Sequence, residues 1–156
     1  MGDAAQVLAA ARARGWRIAV AESCTGGLIG AALTEVAGSS DVLDRGFITY
    51  SNQAKMDLLG VSASALAAHG AVSEQVAQEM ATGALAASKV DIAVSVTGIA
   101  GPGGSEHKPE GMVCFGIATP KGTQTDTQLF GPLGRDAVRR AAVDHALDLL
   151  MRAIVS

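Results

Sequence analysis

Aromatic residues are scarce in this chain, with one Trp, one Tyr and three Phe among 156 residues. A core without large rings must be built from Ala, Val, Leu and Ile, which lets helices lie close on a sheet. Cysteine is nearly absent as well. Cys24 and Cys114 are too few for a disulfide framework and sit in unlike contexts, so both are expected reduced. Charge is thin, at 17% of residues against 49% hydrophobic, which excludes a disordered chain. The net charge of −3 leaves no basic stripe for a nucleic-acid backbone, and no nucleic-acid partner is expected. There is no apolar run of about 18 residues and no signal-like amino terminus. A soluble, cytoplasmic protein without a membrane partner is the expectation. The length suits one domain over residues 1–156, large enough to bury roughly 70% of its unfolded surface without a staple.

What is abundant is small: 30 Ala and 19 Gly. A glycine cluster marks sharp backbone bends or close approach to a ligand. Helical patterns cover residues 4–14, stopped at Gly15, and 28–36, ending at Gly38. Another, capped by Ser51 or Asn52, runs to Gly60; one opens at Ser73 and reaches about Ser88; the last spans 136–154 with Val138, Ala142, Ala146, Leu149 and Leu150 on one face. Strand patterns cover 16–21, 46–50 and 91–97, the last central by composition. Segments 112–118 and 123–130 flank Pro120-Lys121-Gly122 as a hairpin. The alternation implies an α/β sandwich with helices on both sides of a mixed sheet. Ligands in such sheets gather outside the carboxyl ends of the strands, and three polar, glycine-bearing segments follow strands here.

In the first, residues 22–27, a strand stops at Ala21 and a helix begins near Gly26. Ser23 would then sit beside the free N–H groups of Cys24, Thr25, Gly26 and Gly27, donors suited to an oxyanion or a phosphate. The competing reading is that Ser23 or Thr25 merely caps the helix. Cys24 is the stronger nucleophile chemically, but adjacent side chains point different ways. In the second segment Lys55 falls in the first turn of its helix, where the macrodipole and partial burial against the sheet both lower its pKa. A neutral lysine can take a proton from serine, and Tyr50 is placed to relay or orient that proton. At a site edge, Lys55 would carry little of the core. Lys55 as a solvated surface charge, and Tyr50 as a sheet-edge aromatic, are the plain alternatives. The third segment, with Thr97, Gly98, Gly101, Gly103 and Gly104, is neither a Walker A loop nor a Rossmann fingerprint; a backbone-lined wall for a small anion competes with ordinary loop chemistry. His69, His107 and His145 are scattered, so no metal site is expected, and neither His107 nor His145 suggests a triad with Ser23.

The motifs Ala21-Glu22-Ser23-Cys24-Thr25-Gly26-Gly27, Tyr50-Ser51-Asn52-Gln53-Ala54-Lys55 with Leu59-Gly60-Val61, Gly70-Ala71-Val72-Ser73, and residues 96–104 together resemble the CinA C-terminal domain family. Stand-alone members of that family include nicotinamide-nucleotide amidohydrolases. The resemblance covers essentially the whole chain. It implies a three-layer α/β/α sandwich with a five-stranded mixed sheet, similar to anticodon-binding domains. It also implies a serine nucleophile at Ser23, preferred over Cys24, with Tyr50 and Lys55 completing the catalytic set and no cofactor. Larger members carry an N-terminal domain linked to metal-dependent pyrophosphatase activity. Nothing resembling it is found in the 156 residues, so neither that activity nor its metal is implied.

Two departures stand out. Glu110 occupies a place where an apolar residue is expected, and the usual Gly-Asp-Arg before the last helix reads Gly131-Pro132-Leu133-Gly134-Arg135. The implied reaction is deamidation of nicotinamide mononucleotide, a small nucleotide substrate. Arg135 or Arg139, with the loop of residues 97–104, are the candidates for its phosphate; either arginine can instead be a solvated helix charge. Two rivals remain: a catalytically silent pyridine-nucleotide-binding module linked to competence or DNA damage, and another small-amide or ester hydrolase. An apolar helix face left uncovered by so small a domain would suit a homodimer.

Overall fold

The computed structural model describes residues 2–105 and 107–156; Met1 and Glu106, the latter within the third glycine-bearing loop, lie outside the described residues. In chain order the elements are α1 (Ala4–Arg14), β1 (Ile18–Glu22), α2 (Leu28–Thr34), a 3-10 turn (Ser39–Asp41), β2 (Leu43–Ile48), α3 (Asn52–Leu59), α4 (Ala63–His69), α5 (Glu74–Ala87), β3 (Ile92–Gly98), β4 (Met112–Thr119), β5 (Gly122–Leu129) and α6 (Arg135–Val155). The five strands form one sheet in the order β2-β1-β3-β4-β5. β2, β1 and β3 are parallel, whereas β4 and β5 are antiparallel to their neighbours. Helices cover both faces, giving the three-layer α/β/α sandwich with a mixed sheet.

The period of two along the strands sorts residue size between the faces. Ile18, Val20, Ile92, Val94, Val96, Val113, Phe115 and Ile117 pack with α1, α2 and α6. Ala19, Ala21 and Ala93 turn the other way, against Leu59 of α3, Ala65 of α4 and Val76, Met80 and Ala84 of α5. This small-residue face explains much of the alanine content. α5 rests so near the sheet that the Ser95 hydroxyl donates to the Ala77 carbonyl at 2.6 Å. A Cβ on Gly116 would meet that same carbonyl oxygen at 2.6 Å.

Gly83 in α5 marks a second close approach, since a Cβ there would lie 1.8 Å from the Leu59 carbonyl oxygen. Mid-helix Gly→Ala usually stabilises by about 1 kcal/mol. Here backbone must shift, an overpacking cost of roughly 1–3 kcal/mol or more that reverses the sign. Gly83→Ala is therefore expected to lower Tm by several degrees in a thermal melt.

The expected helices and strands appear with shifted ends. Ser51 caps α3 and Ser73 caps α5 through side-chain oxygens. β2 starts at Leu43 and stops at Ile48, earlier than residues 46–50, because this edge strand opens with half-exposed Leu43 and Asp44 and lacks an apolar run. β1 begins at Ile18 rather than Trp16, whose ring lies 3.7 Å beneath the Arg14 guanidinium. α4 was not read from the sequence at all, although Ser62 caps it and Gly70 ends it. Among the described residues the exposed large apolar side chains do not gather on a single helix face. The large apolar residues that are exposed lie mostly on β2, β5 and loops, with Leu28, Leu58 and Val155 on three different helices. Among the described residues no helix is long and apolar enough to cross a membrane.

Candidate active site

β1 lies between β2 and β3, so the chain crosses over β1 on its way from one neighbour to the other. The crevice at the carboxyl ends of these parallel strands is where such a sheet opens for a ligand. The turn after β1 is held from below by Glu22, which is 1% exposed. Its carboxylate accepts the Thr25 hydroxyl at 2.6 Å and the N–H groups of Gly27, Ile29 and Gly30 at 3.2, 2.9 and 3.0 Å. α2 is preceded by Gly27 at φ 110, which has no side chain to cap the helix, so Glu22 satisfies donors that the helix start leaves open. Sequence reading gave Glu22 no role. The signal available was an acidic residue ahead of a helix whose own cap position is glycine.

From the other side Arg139 donates to the carbonyls of Cys24 at 3.1 Å and Thr25 at 3.3 Å. Ser23 itself is anchored by its N–H, which donates to the Val96 carbonyl of β3 at 3.0 Å. These contacts revise the expected donors. The Gly26 N–H is taken by the Ser23 carbonyl and the Gly27 N–H by Glu22. The N–H groups of Cys24 and Thr25 donate to no other residue among those described, and of these two residues Cys24 lines the cavity.

Lys55 is 1% exposed, and its Nζ lies 3.0 Å from Ser23 Oγ. It also donates to the Thr49 carbonyl at 2.9 Å, while the Thr49 N–H donates to the Glu22 carbonyl at 2.8 Å. Far from standing at a site edge, Lys55 is among the largest fully buried side chains, because α3 starts directly after β2 and aims its first turn across the end of β1. Burial disfavours the charged form of an amine. The serine hydroxyl and the buried amine thus form a pair suited to proton transfer.

Cys24, beside them, is buried, and burial pushes its thiol up to about 11; Glu22 adds to this, against the pull of its own backbone N–H, Arg139 and Lys55. A thiol held protonated at neutral pH is a poor nucleophile. Cys24 in the folded protein should resist iodoacetamide at pH 7.5 and react only after denaturation, a contrast that mass spectrometry reads directly.

Tyr50 is 61% exposed at the cavity mouth, and its hydroxyl accepts from Arg135 at 2.7 Å. Among the described residues its hydroxyl is hydrogen-bonded to Arg135 and not to Ser23. The other end of the Arg135 guanidinium donates to the Gly101 carbonyl at 2.7 Å. Opposite Ser23, the Thr97 hydroxyl donates to the Ala71 carbonyl at 2.8 Å and ties β3 to the connection between α4 and α5. The following loop holds Gly101 at φ 92 before a cis peptide to Pro102, and Gly103 at φ 81. Lys108 fastens it by donating to the carbonyls of His69 and Val72. The Gly103 N–H is occupied by Glu110 at 2.7 Å, whereas the N–H groups of Gly101 and Gly104 have no partner among the described residues.

These segments enclose a cavity of about 360 Å³. Of the candidate residues, Ser23, Cys24, Tyr50, Lys55, Thr97, Gly98, Gly101, Gly103, Gly104 and Arg135 line it. Thr25, Gly26, Gly27 and Arg139 do not. Asn52, Val72 and Ser105 line it too; the sequence reading had Asn52 as a cap candidate and Asn52 and Val72 within motifs, but gave none of the three a place in the site. Among the described residues no group of three or more His, Cys, Asp or Glu side chains is arranged to hold a metal.

The model of the CinA C-terminal domain matches residues 3–154. The chain is 53% identical over 152 residues to the nicotinamide-nucleotide amidohydrolase PncC of Enterobacter agglomerans, covering 96% of this chain and 92% of that protein. To the protein of the same name from Escherichia coli K12 it is 52% identical, covering 93% and 88%. A CinA-like protein from Syntrophobacter fumaroxidans is 54% identical over 144 residues; those cover 92% of this chain but only 34% of that longer one. Among solved structures, the competence/damage-inducible protein CihA from Agrobacterium tumefaciens superposes with a TM-score of 0.93 at 47% identity, over 98% of this chain and 93% of the other. By sequence match and by fold, the chain belongs to the CinA C-terminal domain family.

Proposed function

We propose that this protein hydrolyses the carboxamide of nicotinamide mononucleotide, releasing ammonia and nicotinate mononucleotide, by a serine nucleophile with a lysine base. The carrying observation is the Lys55 amine, buried and 3.0 Å from Ser23 Oγ. It stands in a chain more than half identical, over nearly full length, to proteins named nicotinamide-nucleotide amidohydrolase. Lys55 takes the Ser23 hydroxyl proton while one of its own N–H bonds stays on Thr49. Ser23 Oγ bonds to the amide carbon, and the oxygen gathers negative charge beside the Cys24 N–H. Lys55 returns the proton to the departing nitrogen, the C–N bond breaks, and ammonia leaves an ester on Ser23. Water, deprotonated by Lys55, then attacks that ester, and the proton goes back to Ser23 Oγ. Arg135, with the N–H groups of Gly101 and Gly104, receives the phosphate; Tyr50 orients Arg135; Arg139 keeps the turn in shape from behind. The reaction uses a cytoplasmic nucleotide pool and, in this scheme, no metal.

The deciding assay is ammonia release from nicotinamide mononucleotide, nicotinamide and glutamine in parallel. Turnover of the mononucleotide with little from the other two is the expected result. Binding of the mononucleotide without ammonia would identify a silent nucleotide-binding module, and preference for glutamine or free nicotinamide would identify a different amidase.

A further inference from the structure

The two departures noted in the sequence meet in space. The Glu110 carboxylate accepts the Gly103 N–H through Oε1 at 2.7 Å and the Gly134 N–H through Oε2 at a longer 3.4 Å. Gly134 precedes α6 at φ 95 and ψ 153, and the helix has no side-chain cap. That conformation strains any L side chain, so a capping residue cannot be supplied at this position and the acceptor must come from elsewhere. Glu110 also backs the loop directly, since a Cβ on Gly101 would lie 2.5 Å from its carboxyl carbon. Arg135, the residue after Gly134, reaches from the helix start to the Gly101 carbonyl. One carboxylate therefore touches both the loop that the Arg135 guanidinium reaches and the residue from which Arg135 follows.

We infer that Glu110 is a positioning residue for the substrate phosphate: it locks the glycine loop to the amino end of α6 and thereby aims Arg135 and the loop N–H groups. The inference rests on the proposed reading of Arg135 as the phosphate donor. A carboxylate fits this place because it accepts two N–H groups, offers no donor of its own and is favoured at a helix amino end. An amide can accept one of these N–H groups but sets its own NH₂ against the other. An apolar side chain accepts neither. Glu110 does not line the cavity, so its loss should act on phosphate binding and leave the bond-breaking step alone.

The test compares nicotinamide mononucleotide with nicotinamide riboside, which lacks the phosphate, by steady-state kinetics and by calorimetric affinity. The proteins are wild type, Glu110→Gln, Glu110→Ala, Arg135→Ala and the double variant Glu110→Ala/Arg135→Ala. Glu110→Ala should raise KM and Kd for the mononucleotide about tenfold with kcat within about twofold, the scale of a lost charge-assisted hydrogen bond. Glu110→Gln should fall between it and wild type, and the riboside should not distinguish them. The double variant should lose less than the product of the two single effects, because Glu110 acts in part through Arg135 and otherwise through the loop N–H groups. Equal effects on both substrates, a fall in kcat at unchanged KM, or multiplying effects in the double variant would overturn the inference. If wild type binds the mononucleotide with this same pattern but releases no ammonia, the hydrolytic reading falls and the positioning role stands. If it does not bind at all, both fall.

Discussion

Ser23→Ala is expected to reduce ammonia release by roughly 10⁴-fold or more, the scale on which a covalent mechanism loses its nucleophile. Affinity for the mononucleotide should persist, because Arg135 and the glycine loop are untouched and Lys55 keeps its bond to Thr49. Cys24→Ala is the matched control, one residue along in the same turn. Its thiol sits in the core under α6 with its pKa pushed up by burial, so losing it should cost stability and little turnover. Inactivation by Cys24→Ala together with activity in Ser23→Ala would reverse the assignment.

The second large effect concerns Lys55, and the structure changes how it should be probed. Full burial makes Lys55→Ala a cavity-forming change, and Lys55→Arg forces a larger group into a closed space. Lys55→Met keeps the length and volume of the side chain and removes the base. It should fold with a Tm near wild type and lose about 10²–10⁴-fold in kcat, the usual contribution of a general base. The pH dependence follows in sign. In the proposed mechanism the working form is the neutral amine, so wild-type turnover should show a limb that falls as the amine gains its proton at lower pH and rises as it loses it. Lys55→Met should lack the limb. Near wild-type turnover in Lys55→Met would reduce Lys55 to a structural contact and require another base.

Much of this arrangement is legible in the sequence, and the legible parts share a cause. β1 and β3 are buried on both faces, β1 reading as a short apolar run and β3 as an alternation of Ile92, Val94 and Val96, and α5 and α6 are long enough to be read as helices. Ser23, Lys55 and the glycine loop lie just past strand ends, where a parallel sheet gathers its ligands. What fails to show depends on turn geometry and on contacts across the chain. Gly26 and Gly27 read as free donors, although the Ser23 carbonyl and the Glu22 carboxylate close by in the same turn take their N–H groups. Arg135 and Arg139 are one helical turn apart and alike in sequence. Only their register on α6 sends the first to Gly101 and Tyr50 and the second to the back of the Ser23 turn. Tyr50 near a lysine suggested a relay, yet its hydroxyl meets a guanidinium contributed 85 residues later.

The covalent step is the centre of this account, and interception of the ester is its most direct measurement. Wild-type enzyme turning over nicotinamide mononucleotide would be given increasing hydroxylamine, and the products separated by mass. An ester on Ser23 must partition between water and the added nucleophile, so the hydroxamate should grow at the expense of nicotinate mononucleotide while ammonia is released at least as fast as before. Nicotinate mononucleotide as the sole product at every hydroxylamine concentration, with ammonia release unchanged, would mean that water attacks the amide directly and would contradict a serine-bound intermediate.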